Sequence, residues 1–196
     1  WMQPGRNSSP TRIIGFMGTL THDADLLMAV QSLRSTLRKY IGRLEIQLIG
    51  GITNPSLINA FQGLPVRMLA IEPFEVAYPN FVPWMRKNLN WDFGIAPLEN
   101  NLFTLGKSDI KFLDYSALGI PGIYSQVPCY EATVQHLHNG YLVENKPSAW
   151  SEALSLLLED KNLRLQIAAK AQQYTIANRT LQHCAHQWRK AILELV

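Results

Sequence analysis

Apolar residues in this chain gather in short runs rich in β-branched and aromatic side chains, most of them closed by Gly, Pro or Asn. The runs Ile13 to Met17, Leu44 to Ile49, Val66 to Ile71, Phe93 to Leu98, Ile120 to Tyr124 and Tyr141 to Val143 read as strands of a mostly parallel sheet. Between them Leu26, Leu27, Val30, Leu33, Leu37 and Ile41 recur near the helical period, as do Ile110, Leu113 and Ala117. From Ser148 onward the pattern is helical. Trp150, Ala153, Leu154 and Leu157 make one stripe and Leu163, Ile167, Ala171 and Tyr174 a second; a break at Asn178 or Arg179 precedes a last helix from Leu181 to Leu195. Strands alternating with helices predict crossover units, and so a doubly wound, Rossmann-like α/β domain over residues 12–196 with a six-stranded sheet and C-terminal helices. Residues 1–11, with Pro4, Gly5, Ser8, Ser9 and Pro10, read as a linker or leader.

Composition narrows the function. With 196 residues, 47% of them hydrophobic, the chain can bury a core of its own. A net charge of +3 and a charged fraction of 17% give no dense basic field of the kind that displaces counterions from nucleic acid, so nucleic acid is not an expected partner. The low charged fraction leaves room for an apolar surface that packs on another domain, with Trp84, Trp91 and Trp188 as candidates. Cys129 and Cys184 stand far apart without metal-ligand spacing, as free thiols in a reducing, cytoplasmic setting do. No apolar run approaches the roughly 20 residues of a bilayer span, and no segment has the pattern of a signal peptide. The chain opens on Trp1 in place of an initiator Met, which suits a domain taken from a longer protein.

In open parallel sheets ligands bind beyond the carboxyl ends of the strands, where helix N-termini face a crevice. Two strand-to-helix junctions carry suitable chemistry. At the first, Met17-Gly18-Thr19-Leu20-Thr21-His22-Asp23, Gly18 lets the backbone approach a ligand, Thr19 offers a hydroxyl, and His22 can donate to a phosphate or sugar hydroxyl. The plain alternative is a glycine turn with Thr21 or Asp23 capping a helix. Asp23-Ala24-Asp25 has the spacing of a divalent-metal pair, but an acidic first turn explains it equally and no metal is expected. At the second junction, Lys107 through Pro121, Ser108 can cap a helix with Lys107 at its mouth, and the free amides of the first turn suit a phosphate, while Asp109 adds negative charge there. Asp114 follows Lys107 by seven residues, on nearly the same face and about 10 Å along at 1.5 Å per residue, a separation that suits phosphate and ribose of one ligand. An exposed helix with a Lys111–Asp114 pair is the alternative. The chain lacks Gly-x-Gly-x-x-Gly, P-loop and Gly-x-Ser-x-Gly motifs, which removes support from dinucleotide, P-loop and α/β-hydrolase functions.

Taken in order, Arg12 to Thr19, Gln47 to Gly51, Trp91 to Leu98, Lys107 to Pro121, Gly140 to Val143 and Trp150 to Leu154 resemble the C-terminal, donor-binding half of GT-B fold glycosyltransferases of the family 4 type. The resemblance spans nearly the whole chain from Arg12. It implies a nucleoside-diphosphate sugar donor and no cofactor; combined with the two junctions above, Gly18, Thr19, Lys107 and Ser108 are expected to hold the phosphates and Asp114 the ribose. Asp114 falls on the second acid of the family's Glu-x7-Glu signature, which binds ribose, with Ala117, Gly119 and Pro121 matching its tail. The first acid, which touches the donor sugar, falls on Gly106, so either sugar recognition differs here or the nearby Glu99 or Lys107 substitutes. Where the family has an Arg and a Lys that grip the diphosphate after the first strand, Thr19-Leu20-Thr21-His22 stands instead, and Lys107, Ser108 and the amides beside them are expected to replace that positive charge. The Lys-Ser-x-Ile-Lys variant is similar to a subgroup associated with bacterial surface-polysaccharide assembly. The resemblance further implies a missing N-terminal acceptor-binding domain, retention of anomeric configuration, and peripheral association with the inner face of the membrane. A scaffold or regulatory module that has lost the donor site is a second reading, and a sugar epimerase of the same fold a third, for which no carboxylate pair stands out.

Overall fold

The computed structural model describes residues 1–50 and 52–194. Six parallel strands, β1 (Arg12–Met17), β2 (Leu44–Ile49), β3 (Val66–Leu69), β4 (Phe93–Ala96), β5 (Gly122–Ser125) and β6 (Tyr141–Val143), form one sheet in the order β3-β2-β1-β4-β5-β6. Among the described residues eight α-helices accompany them: α1 (Asp23–Lys39), α2 (Pro55–Phe61), α3 (Tyr78–Asn88), α4 (Ile110–Ala117), α5 (Pro128–Glu131), α6 (Pro147–Glu159), α7 (Lys161–Asn178) and α8 (Leu181–Leu193). The order reverses beside β1, so the crevice of a doubly wound fold lies beyond the ends of β1 and β4.

Strand pleating sorts the core into two layers. Ile14 and Phe16 of β1 point toward α1 and α6, where Leu26, Leu33, Leu37, Trp150 and Leu154 are buried. Met17 points the other way, with Trp84, Trp91, Phe112, Tyr115 and Tyr124. On that second face Gly15, Gly94 and Gly122 stand side by side across three strands. A Cβ on them would enter the rings of Trp91, Tyr115 and Tyr124 respectively, so this row lets an aromatic layer, and α4 with it, lie close on the sheet. Tyr115 adds a hydrogen bond from its hydroxyl to the Ile95 carbonyl at 2.9 Å.

Several expectations need correction. Trp84 and Trp91 are core residues, and Trp91 donates to the Gln47 side chain at 2.9 Å; of the three candidates only Trp188 lies on the surface. Ile41 is 71% exposed because α1 stops at Lys39 and Gly42 turns the chain at φ +75°. Ile110, Leu113 and Ala117 do not form the core face of α4, which is Lys111, Phe112, Tyr115 and Ser116. Helix α3 was not foreseen, since Pro79 and Pro83 mask its period. The last helix ends at Leu193; Leu195 and Val196, like Gly51 in the second strand-end motif, lie outside the described residues.

Residues 1–11 contain no helix or strand and lie against the domain. The Met2 amide donates to the Ala117 carbonyl at 3.0 Å, and Asn7 reaches Asp92 at 2.6 Å. Cys129 and Cys184 are free and half-buried. Among the described residues no helix is long and apolar enough to cross a membrane.

Candidate functional site

The carboxyl ends of β1 and β2 are locked together. The Gly18 amide donates to the Ile49 carbonyl at 3.0 Å, and Gly50, at φ +93°, is pressed so closely on Gly18 that an added Cβ would stand 1.6 Å from its carbonyl oxygen. Only glycine fits position 50. The chain then makes a 3-10 turn, Leu20–His22, and enters α1. Neither Thr21 nor Asp23 caps that helix. The Thr21 hydroxyl bonds to that of Thr19 at 2.9 Å. Asp23 instead accepts from the Thr53 amide and hydroxyl and the Asn54 amide, at 2.9, 3.1 and 2.7 Å, and so closes the loop after β2. Asp25 faces inward and serves different partners, so the two acids of the Asp-x-Asp spacing diverge.

The opposite wall is α4 and the segment leading to it. Leu98 is pinned through its amide by Ser125 at 2.8 Å and through its carbonyl by Asn145 at 2.9 Å, which fixes where the loop leaves β4. Ser108 does not cap α4. Asp109 occupies the N-cap position, and its side chain makes no capping bond either. Both of its oxygens are taken by Arg179, at 2.6 and 2.8 Å, and Thr133 donates at 2.7 Å. Burial would raise the Asp109 carboxyl, but Arg179 and Thr133 outweigh it and hold it below the ordinary carboxylate range. Its charge therefore does not weigh on the first turn as expected from sequence. The amides of Ile110 and Lys111 have no backbone acceptor among the described residues and remain open to a ligand.

Between these walls lies a cleft of about 520 Å³, lined at its base by Met17, Gly18, Thr19, His22 and Gly50 and along α4 by Ile110, Lys111 and Asp114. A smaller recess of about 120 Å³ holds Lys107 and Ser108, and the two meet at His22, Ile110 and Lys111. All six candidate residues read from the sequence thus line one continuous depression. Gly18 contributes close approach and not a donor, because its amide is used. His22 is engaged at both nitrogens: Nδ1 with Asp25 at 2.7 Å and Nε2 with the Lys111 ammonium at 3.4 Å. Lys107 turns back to Asp25 at 3.6 Å and lies over the Phe103 ring.

Asp25 is 3% exposed and also accepts the Glu99 amide at 2.8 Å. Burial alone would raise its carboxyl; the His22 bond, the Glu99 amide and the Lys107 charge keep it low. Asp114 shows the reverse: burial raises its carboxyl, against the bond from the Tyr78 hydroxyl at 2.9 Å and the Lys111 charge. One Asp114 oxygen is held by Tyr78, leaving the other for a ligand hydroxyl. Gly106 ends a 3-10 turn with open space where a side chain would stand. Glu99 bonds to Asn101 and lines neither recess.

Sequence reasoning missed Lys111 and Tyr78. A lysine between Ile110 and Phe112-Leu113 was the available signal for the first; the second offered none, standing before a proline in a segment without visible period.

Comparison with known proteins bears on the same region. Residues 110–174, from α4 through most of α7, match the family model of glycosyl transferases group 1. No curated protein matches the chain. Among solved structures, the C-terminal domain of a glycosyl transferase group 1 family protein, LpcC, from Francisella tularensis is 18% identical with a TM-score of 0.68, covering 92% of this chain and 96% of that one. Anabaena Alr3699/HepE, determined in complex with UDP and glucose, is 12% identical with a TM-score of 0.73, covering 93% of this chain and 48% of that one. WaaG, a glycosyltransferase involved in lipopolysaccharide biosynthesis, is 13% identical with a TM-score of 0.67, covering 89% and 45%. The fold is that of GT-B glycosyltransferase C-terminal domains, and the chain spans about half the length of the longer of these relatives.

Proposed function

We propose that this chain is the donor-binding half of a family 4 type glycosyltransferase, which holds a nucleoside-diphosphate sugar in the cleft between the end of β1 and the start of α4. The observation that carries the reading is the convergence of Gly18, Thr19, His22, Lys107, Ser108 and Asp114 on one depression at the carboxyl edge of the sheet. The match over residues 110–174 supports it, because that stretch begins with the helix bearing Asp114. In this reading the free oxygen of Asp114 accepts from the ribose hydroxyls. The open amides of α4 and the polar groups of Thr19 and Ser108 face the diphosphate, and their work in catalysis is to stabilise it as it departs. An N-terminal acceptor-binding half completes the active site. The proposed reaction retains anomeric configuration, needs no metal or other cofactor, and builds a bacterial surface polysaccharide. It belongs at the cytoplasmic face of the membrane, where the full-length protein would associate peripherally.

Calorimetric titration of the chain with UDP, GDP, dTDP and ADP tests this: one of the four binds, Asp114→Asn weakens it about tenfold or more, in line with loss of a charge-assisted hydrogen bond, and the domain alone transfers little sugar. A folded sample that takes up none of them sinks the reading. Gly106 favours a second one, a GT-B-like scaffold or regulatory module without transfer, since no carboxylate stands where the sugar-contacting acid is expected. Unchanged nucleotide affinity in Asp114→Asn would support that module.

A further inference from the structure

The Lys111 side chain is 8% exposed, and its ammonium lies where the two recesses join. A charge buried to this degree normally has a counter-ion, because nothing else replaces the water it has lost. Lys111 has none within ion-pair distance among the described residues; its polar contact is the long one to His22 Nε2, at 3.4 Å. That contact is directional. With the His22 Nδ1 hydrogen donated to Asp25 at 2.7 Å, Nε2 carries a lone pair that accepts from Lys111 and holds it at the junction.

The other nearby cation is already occupied. Lys107 is drawn to Asp25 at 3.6 Å and to the Phe103 ring, and the turn after β1 offers Thr19, Leu20, Thr21 and His22 in place of an arginine and a lysine. We propose that Lys111 is the cation that grips the diphosphate of the bound nucleotide, presented to it by His22 and Asp25 beside the open amides of α4. This rests on the donor-site reading above and identifies which charge meets the phosphates.

The groups that face Lys111 define how it responds to pH. Burial pushes its ammonium down to about 8; Asp25 of α1, Cys129 of α5 and Asp114 of its own helix act in the opposite sense, and Lys107 adds to the lowering. A diphosphate placed against it restores the proton's hold. Nucleotide binding is therefore accompanied by proton uptake above pH 8, and wild-type affinity falls about tenfold from pH 7.5 to pH 9 as the free lysine loses its charge.

The test compares wild type, Lys111→Met and Lys111→Arg by calorimetry with UDP, GDP, dTDP and ADP and with the nucleosides of the same bases, in two buffers of different ionisation enthalpy. Expected is a loss of tenfold or more in diphosphate affinity for Lys111→Met with nucleoside affinity unchanged. Lys111→Arg should keep diphosphate affinity within a few-fold and abolish the proton uptake. Wild type that binds while Lys111→Met binds its diphosphate equally tightly overturns this inference alone, as does an equal loss for diphosphate and nucleoside. Wild type that binds none of the four overturns the donor-site reading and this inference with it. Should Lys111→Met fail to fold, as judged by circular dichroism, the arginine variant decides: persistent proton uptake overturns the proposal.

Discussion

Behind the first turn of α4, Asp109 is held through both oxygens by Arg179 and also accepts from Thr133, so each carboxylate oxygen has a donor and the charge has its counter-ion. In front of the same turn Lys111, buried just as well, meets only an imidazole nitrogen among the described residues. The two clusters lie on opposite sides of a single turn, and one is saturated while the other has an unmatched positive charge. A saturated cluster has no remaining capacity for a ligand and belongs to the architecture. An unsaturated one costs stability in the empty protein and regains it when an anion arrives.

That contrast can be broken from either side. Arg179→Met leaves the Asp109 carboxylate buried without its partner and should have the largest effect, about 2–3 kcal/mol of destabilisation, somewhat below a fully buried pair because Arg179 keeps part of its exposure. Thermal melting near neutral pH checks it. Because the folded Asp109 carboxyl lies below its unfolded value, its contribution is present above the ordinary carboxylate range and fades as pH falls through the folded value; the variant's deficit should shrink accordingly in acid. On the other side, Lys111→Met should raise stability near pH 7 by roughly 1–2 kcal/mol. The folded lysine titrates near 8 and the unfolded one near 10.5, so its cost is complete below pH 8 and is relieved as pH rises between those values. The gain of the variant should vanish by pH 11, and a variant less stable than wild type at pH 7 would show that the front cluster is satisfied after all. Tyr78→Phe should have the smallest effect, under about 1 kcal/mol, since Tyr78 is 55% exposed. Its signature is a further rise of the Asp114 carboxyl, read by carbon NMR.

Much of the architecture was legible along the chain because parallel strands buried on both faces are continuous apolar runs, and β1, β2, β4 and β6 stand close to where those runs fall. Helices with one buried stripe were legible too: Trp150, Ala153, Leu154 and Leu157 are all buried as expected. Helix α4 was found but turned the wrong way. Its period places Ile110, Leu113 and Ala117 on one side, but the row of glycines that draws Tyr115 onto the sheet comes from three other strands and rotates the core face to Lys111, Phe112 and Tyr115. Ser108 and Lys111 were misjudged for the same reason. Whether a polar residue caps a helix, pairs along it or stands buried at its mouth depends on Arg179, Asp25 and His22, which are dozens of positions away. The gathering of candidate residues at one crevice needed only the topology; their division of labour needed these distant neighbours.

Arg179 also caps the C-terminus of α7 where the chain turns into α8, a helix that buries none of its side chains and leaves Leu181, Trp188 and Ile192 exposed. The residue that leads into this exposed helix is thus fastened to the residue from which α4 springs, at the rim of the cleft. Cutting the chain after Asn178 would remove more than a peripheral helix: it would cut the tether that keeps that rim in place.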